Sequence, residues 1–249
     1  MIEAIFFDDG GVLNDNTLRT PQWRKLIADY FIPRYGGSVE SWAEANKQAA
    51  EEILKRMEEV YESGSSTIPP DYHEIDDREW LAVMFDYHEL EPPEDTSAEA
   101  RAAIEWITAR VKASYPGIIQ VINELAPEYT LYTASNEPRY RLEHYLRGMG
   151  ILEHFEELFG SDILHAFKNT TYYFEKIVEI TDVDPETSIF IDDRFDNLLK
   201  ARNVGFHVIH SGLAGDEKGE FPYFRETLEL PQLIRSLEAN DSRSRYREN

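Results

Sequence analysis

Four short groups of polar residues in this chain of 249 residues each follow an apolar run. Two groups are acidic, one pairs a hydroxyl with an amide, and one is a single lysine. They are Asp8-Asp9-Gly10-Gly11, Ser135-Asn136, Lys168 and Asp192-Asp193. A carboxylate that attacks a phosphoryl group in line forms an aspartyl phosphate, which splits one difficult displacement into two easier ones. The barrier is mainly electrostatic, so a divalent cation and a lysine beside the carboxylate would neutralise charge as it gathers.

The apolar runs predict that these groups lie together. IEAIFF, YTLYTA and SIFI are near-continuous apolar stretches, as strands of a parallel sheet are when both faces are buried. ILHAF, which precedes Lys168, is interpreted as a further short strand. The carboxyl ends of the strands border the ligand crevice of an open α/β sheet. We therefore expect the four groups to form one site.

The periodicity of the remaining sequence predicts an α/β fold, with a Rossmann-like three-layer core around a parallel sheet and an inserted all-helical cap. Residues 1–15 form the first strand and its loop, and residues 16–112 show only helical spacing of apolar side chains. Helices and strands alternate over residues 113–239, which indicates right-handed βαβ units. Residues 240–249 form a polar tail that is expected to be frayed or disordered.

Composition excludes several classes of protein. Acidic residues outnumber basic ones 48 to 25, and the formal charge of −23 disfavours a nucleic-acid partner. No run approaches 18 apolar residues and no basic segment precedes the first strand, so we expect a soluble protein without a membrane span or signal peptide. The absence of cysteine fits a cytoplasmic location. An anionic ligand would need local positive charge, which a divalent cation supplies compactly.

The first motif also carries a family resemblance. Residues 5–13, IFFDDGGVL, resemble the Asp-x-Asp-Gly-Thr/Val-Leu motif of the haloacid dehalogenase-like hydrolase superfamily, with Asp8 in the nucleophile position. The later groups resemble motifs two to four in the same order, the fourth being IFIDDRFDN at residues 189–197. The resemblance covers residues 1–14 and about 113–210. The helical insert stands where this superfamily carries its type 1 cap.

The resemblance implies a Mg²⁺-dependent phosphatase that hydrolyses phosphoric monoesters of a small metabolite. Mg²⁺ takes a small octahedral set of oxygens and keeps several waters, so few protein ligands suffice. The implied ligands are Asp8, the carbonyl of Gly10 and Asp193, with Asp192 beside them through water. Ser135 would hydrogen-bond a phosphoryl oxygen, Asn136 would shape the same substrate-binding loop, and Lys168 would bridge the phosphate and the nucleophile.

Gly10 departs from the superfamily pattern. Most phosphatases of the superfamily carry a second Asp two residues after the nucleophile, which protonates the leaving group and then activates water. Loss of a positioned acid/base costs about 10²- to 10⁴-fold in rate, although a leaving group of low pKa needs less protonation. Asp9 is a poor substitute because adjacent side chains at a strand end point to opposite sides. Asp15 and residues of the cap remain candidates.

Each group also has an interpretation without catalysis. Asp8 to Gly11 can be turn chemistry, and Ser135 or Asn136 can cap the following helix. Lys168 can be a solvated surface lysine. Asp192-Asp193 can cap the helix that follows, because the helix dipole favours acidic groups at its N-terminus. The conjunction of all four in this order at strand ends favours a catalytic site.

Three functions remain open from the sequence. The leading one is the phosphatase. A haloacid dehalogenase would use the same Asp8 to attack carbon without metal, but its usual aromatic residue is absent from position 10 and the acidic pair at 192 and 193 favours metal. A binding or regulatory protein would have kept the site and lost turnover. The sequence leaves the substrate and the oligomeric state open.

Overall fold

A six-stranded, entirely parallel sheet organises the computed structural model, which describes residues 1–215 and 219–245. Its order is β3-β2-β1-β4-β5-β6. The strands are β1 Ala4–Phe7, β2 Thr130–Ala134, β3 Phe155–Phe159, β4 Ser188–Asp192, β5 His207–Ser211 and β6 Tyr223–Phe224. The helices are α1 Asn16–Tyr35, α2 Val39–Glu62, α3 Tyr72–Tyr87, α4 Thr96–Thr108, α5 Ile118–Leu125, α6 Arg139–Met149, α7 Ser161–Leu164, α8 Tyr172–Thr181, α9 Phe195–Val204 and α10 Leu230–Arg245.

The three apolar runs predicted as strands form the centre of this sheet as β2, β1 and β4. Every residue of β1 is buried, because the strand pairs on both sides and helices cover both faces. Phe7, its last residue, is in register with Thr133 and Ile191. The next residues of all three strands therefore emerge at one edge, as expected for parallel strands.

Helices cover both faces of the sheet and give the predicted three layers. Apolar residues of α5, α6 and α10 pack in one cluster with β1, and those of α8 and α9 pack in a second cluster on the opposite face. The α/β class and the Rossmann-like core are therefore confirmed. None of the helices in the described part of the chain combines the length and apolarity needed to cross a membrane.

Helices α1 to α4 fill the segment between β1 and α5 and have an apolar cluster of their own. Phe31 and Trp42 stack in it with ring centroids 4.7 Å apart. Asp15 caps α1, and the hydroxyl of Ser38 accepts from the backbone N–H of Ser41 in a reciprocal cap that starts α2. These caps and the loops around Gly64 and Pro92 set the helix bounds. The division into core and cap at residues 15 and 112 stays a prediction.

Two sequence-based expectations are wrong. ILHAF is not a strand: α7 covers Ser161–Leu164, and the strand of this region is Phe155–Phe159, one segment earlier. Glu156 and Glu157 interrupt its apolar pattern, which an edge strand tolerates because its outer side faces solvent. The tail is also helical as far as Arg245, since no glycine or proline follows Pro231. The last part of the predicted tail, residues 246–249, lies outside the described residues.

Candidate active site

Asp8 lies directly after β1 and is the centre of the polar cluster. Its backbone N–H continues the sheet by donating to the carbonyl of Ile191 at 3.0 Å. One carboxylate oxygen, Oδ1, accepts from the backbone N–H of Asp9 at 2.8 Å and lies 2.9 Å from Lys168 Nζ. The sheet therefore holds this carboxylate in place, with one oxygen occupied by protein contacts.

Lys168 is buried, with a relative exposure of 2%, so its interpretation as a surface lysine is wrong. Its ammonium group donates to Asp192 Oδ2 at 2.6 Å and to the carbonyl of Ala134 at 3.1 Å, besides its contact with Asp8. Burial alone would lower the pKa of Lys168, but the charges of Asp192 and Asp8 outweigh it and raise the pKa. The lysine is therefore a permanent cation that holds two strand ends together.

Three carboxylates gather at this edge of the sheet, and two of them, Asp8 and Asp192, contact Lys168. Oxygens of Asp8, Asp192 and Asp193 all lie within 4.8 Å of one another. Burial raises the pKa of Asp8 to about 7 against the effect of Lys168, and the charges of Asp192 and Asp193 raise it further. Carboxylate oxygens packed this closely repel one another unless a cation or a proton joins them. The cluster therefore has the donor set of a hard divalent cation.

Asp192 and Asp193 differ in their surroundings. Asp192 Oδ1 accepts from the backbone N–H of Arg194 at 2.8 Å, Oδ2 accepts from Lys168, and the Asn197 amide contacts both oxygens. Asp193 instead lines the cavity described below. It approaches Gly11, whose φ is 80° and where a Cβ would overlap the Asp193 carboxylate. The absence of a side chain at Gly11 thus lets Asp193 pack against the loop that follows β1.

Ser135 and Asn136 follow β2 at the same edge. Ser135 is buried, and its hydroxyl oxygen accepts from the backbone N–H of Glu137 at 3.3 Å, which leaves its own proton to donate to a ligand. Asn136 Oδ1 accepts from the backbone N–H of Lys168 at 2.9 Å, and its amide donates to the Tyr61 hydroxyl at 2.8 Å. Neither residue caps α6, whose N-cap is Pro138 without a side-chain bond.

Position 10 is open toward the cavity but its surroundings are filled. A Cβ on Gly10 would lie 3.0 Å from Asn16 Nδ2 and 3.2 Å from Arg19 Nη2. Arg19 Nη1 donates to Asp9 Oδ2 at 2.5 Å, and Asn14 donates to the other Asp9 oxygen at 2.6 Å. Asp9 is fully buried in these contacts and, as the strand alternation predicts, does not replace the missing acid.

A cavity of about 490 Å³ connects the cluster with the helical segment. From the predicted site it is lined by Asp8, Gly10, Ser135, Asn136 and Asp193, while Lys168 and Asp192 lie behind this lining. The other side is formed by α1, α2, α3 and the start of α6. Together with Phe167 and Arg194 from loops of the core, the remaining lining residues are Asn16, Arg19, Ile53, Leu54, Met57, Tyr61, Tyr72, His73, Asp76, Glu137, Pro138 and Arg141.

Several of these residues were not singled out by sequence reasoning. Arg19 and His73 belong to helices in which no short motif marks a ligand-facing side chain. Arg141 donates to Asp77 at 2.7 Å, which joins α6 to α3. Arg194 lines the cavity, whereas Arg139 pairs with Glu157 at the surface.

The model of the haloacid dehalogenase-like hydrolase family matches residues 2–205. The chain belongs to this family. This hydrolase has no match among curated proteins. Among solved structures it is similar to an L-2-haloacid dehalogenase from Xanthobacter autotrophicus with chloropropionic acid covalently bound, at 22% identity, a TM-score of 0.62 and coverage of 94% of this chain and 99% of that one.

Two further structures share the fold. One is the putative HAD-hydrolase YfnB from Bacillus subtilis bound to magnesium, with 15% identity, a TM-score of 0.65 and coverage of 94% and 98%. The other is a HAD phosphatase from Thermococcus onnurineus, with 19% identity, a TM-score of 0.62 and coverage of 94% and 98%. At these identities the likeness concerns the fold, and dehalogenases and a phosphatase both share it.

Proposed function

We propose that this hydrolase is a Mg²⁺-dependent phosphatase that acts on a small phosphorylated metabolite through an aspartyl phosphate on Asp8. The observation that carries the proposal is the cluster of Asp8, Asp192 and Asp193, in which the first two contact Lys168. Attack on a phosphoryl group brings two anions together, and this cluster is suited to hold the cation that such an attack needs. Attack on the carbon of a haloacid makes no such demand.

The protein groups have separate tasks in this proposal. One oxygen of Asp8 is fixed by Lys168 and the backbone N–H of Asp9, so the other is the attacking oxygen. Ser135 donates its hydroxyl proton to a phosphoryl oxygen. Lys168 stays protonated and offsets charge between the phosphate and Asp8. Asn136 positions the Lys168 loop and the Tyr61 hydroxyl at the rim of the cavity.

The residues present fit Mg²⁺. Asp193, Asp8 and the carbonyl of Gly10 would hold the ion, because they share the cavity. Asp192 would act through water, since both of its oxygens already accept hydrogen bonds from Lys168, Asn197 and the backbone of Arg194. The ion would supply positive charge to the phosphoryl oxygens and keep several of its waters.

A dehalogenase is the second candidate. Its support is the similar structure from Xanthobacter autotrophicus, an L-2-haloacid dehalogenase with chloropropionic acid covalently bound. The aromatic side chain expected at position 10 is replaced by Gly10, whose neighbours are the polar groups of Asn16 and Arg19. A cytoplasmic location and the absence of nucleic-acid or membrane partners stay predictions.

A substrate panel with and without Mg²⁺ tests the proposal. Phosphate release that requires Mg²⁺ and is lost in Asp8→Asn supports the phosphatase. Halide release from 2-chloropropionate without metal, also lost in Asp8→Asn, would overturn it in favour of the dehalogenase. Mg²⁺ binding without turnover of either class would overturn it in favour of a binding protein.

A further inference from the structure

The nearest neighbours of a Cβ at residue 10 are two polar groups from α1. The Asn16 amide and the Arg19 guanidinium lie 3.0 and 3.2 Å from the place of a Cβ on Gly10. Arg19 Nη2 donates to Asn16 Oδ1 at 2.5 Å, which fixes the two side chains to each other. A cation therefore stands where an acid at position 10 would face the leaving group.

Arg19 retains donors for a ligand. A guanidinium has five N–H groups, and among the described residues Arg19 uses them for Asp9 and Asn16. Its side chain is 16% exposed and lines the cavity beside Asp8. Burial would lower the pKa of Arg19, but Tyr145 and Asp9 outweigh it and raise the pKa, so the group does not give up a proton. It can only stabilise an anion.

A second cavity of about 420 Å³ begins at the same arginine. The two cavities share Arg19, Ile53, Leu54, Glu137 and Arg141. Beyond them the second cavity is mostly apolar, with Trp23, Ala50, Trp80, Ile104 and Tyr145 in its lining. A ligand whose phosphate lies at Asp8 would place its next oxygen near Arg19 and its body in this apolar space.

We propose that Arg19 stabilises the leaving-group oxygen in place of an acid, and that the substrate is a phosphate ester or anhydride of an acidic, apolar hydroxyl compound. This inference rests on the proposed phosphatase activity. It selects aryl or acyl phosphates over phosphates of aliphatic alcohols. An alkoxide needs a proton when it leaves, whereas a phenolate or carboxylate needs only a cation.

The chemical steps balance without an acid. An oxygen of Asp8 bonds to phosphorus while the bond from phosphorus to the leaving oxygen breaks. The electron pair stays on that oxygen, which departs as an anion beside Arg19. Water then attacks phosphorus, the bond to Asp8 breaks, and both protons of the water remain on the released dihydrogen phosphate.

The test is the dependence of kcat/KM on leaving-group pKa, measured with Mg²⁺ on substituted phenyl phosphates and on benzoyl phosphate. These leaving groups extend from a pKa of about 4 for a carboxylic acid to about 10 for a phenol. Arg19→Gln alone would leave Asp9 buried without its cation. The main variant is therefore Asp9→Asn combined with Arg19→Gln, which keeps a neutral hydrogen-bonded pair. Arg24→Gln, an exposed position on the same helix, is the control.

We expect the double variant to lose about 10²-fold or more in kcat/KM for phenyl phosphate and less than about 10-fold for benzoyl phosphate, as for loss of one donor to a developing oxyanion. Binding of benzoate, which needs no turnover, should also weaken. Arg24→Gln should match the wild type. If kcat/KM falls by the same factor for both substrates, or the double variant binds benzoate with wild-type affinity, the inference is wrong.

The two proposals fail in different ways. A folded wild type that releases no phosphate from any member of the series contradicts the phosphatase itself. An active wild type whose kcat/KM depends on leaving-group pKa in the same way as that of the double variant contradicts only the role of Arg19. Preference for benzoyl phosphate over the most acidic phenyl phosphate identifies the acyl class, and the reverse preference identifies the aryl class.

Discussion

Lys168 Nζ lies 2.9 Å from Asp8 and 2.6 Å from Asp192, which joins the ends of β1 and β4 through one buried cation. The lysine itself comes from the loop after α7 and is held there by Asn136, which accepts from its backbone N–H. Three separate parts of the chain thus meet at one charge. This contact links the stability of the sheet edge to the chemistry that we propose there.

Removing this cation should destabilise the fold. Lys168→Met leaves two buried carboxylates without their partner, and loss of one member of a buried pair costs about 3–5 kcal/mol. Urea unfolding of the variant should give a free energy of unfolding lower by that amount, together with loss of turnover. Lys176→Met, at a partly exposed pair with Glu179, is the matched control and should change it by less than about 1 kcal/mol. Equal stability of Lys168→Met and wild type would contradict the burial of this charge.

Asp8→Asn and Asp193→Asn should each abolish phosphate release without unfolding the protein. Asp8 supplies the attacking oxygen, and Asp193 faces the cavity as the direct metal ligand in our proposal. Both substitutions keep the shape of the side chain and remove charge from a crowded acidic cluster, so thermal unfolding should occur at or above the wild-type temperature. A rate near that of the wild type in either variant would refute the role of that residue.

Gly10→Asp alone should not raise turnover. A restored acid would raise turnover in an open site, but here the new carboxylate would meet Arg19 and Asn16. The adjacent cation would lower the pKa of the new acid and keep it from donating a proton. Gly10→Asp added to the pair Asp9→Asn and Arg19→Gln should exceed that pair alone on phenyl phosphate, by about 10-fold or more for a restored acid. The opposite order of these two variants would show that another group supplies the proton.

A substrate with an acidic leaving group should give a burst. Formation of the aspartyl phosphate needs no acid for such a substrate, whereas attack by water is slowed because no acid/base side chain stands at Gly10. Stopped-flow absorbance with 4-nitrophenyl phosphate should therefore show about one equivalent of nitrophenolate before the steady state. A linear trace from the first turnover would mean that another group already activates the water.

Stability should depend on pH through His73, whose Nε2 contacts the Ser161 hydroxyl at 2.7 Å. Burial lowers the pKa of His73 to about 4 from 6.5, and the Arg141 charge adds to this. As the pH falls from about 6.5 to about 4, the unfolded chain takes up a proton at His73 that the folded chain does not. The free energy of unfolding should therefore decrease by up to about 3 kcal/mol.

His73→Gln should lack this part of the pH dependence. Urea unfolding at pH 7 and at pH 4.5 measures it, and His154→Gln is the control that should keep the wild-type dependence. An identical loss of stability in His73→Gln and wild type would show that the folded protein already accepts the proton at position 73.

The central strands could be predicted from the sequence because each is marked by an apolar run within its own few residues. β1 and β4 are buried on both faces, so their apolar runs are uninterrupted. β3 lies at the edge of the sheet, where Glu156 and Glu157 are tolerated, and its pattern was therefore missed. The error moved the predicted strand onto α7, but it left Lys168 at the site.

The surroundings of Gly10 could not be predicted in the same way. The sequence shows that Gly10 stands where the motif has Asp. Which side chains lie beside Gly10, however, depends on how α1 packs. Asn16 and Arg19 reach position 10 because they lie one helical turn apart, on the first turns of a helix that Asp15 caps. Nothing in their own sequence context marks them as ligand-facing.

The central claim is that Asp8 attacks phosphorus in a pocket completed by Mg²⁺ and Asp193. A crystal structure of the protein with Mg²⁺ and fluoroberyllate, a mimic of a bound phosphoryl group, tests it most directly. We predict beryllium bonded to an Asp8 oxygen, with Mg²⁺ held by Asp8 and Asp193 and the fluorines within hydrogen-bond distance of Ser135 and Lys168. A fluoroberyllate group bound away from Asp8, or a metal ion bound without Asp193, would contradict the account.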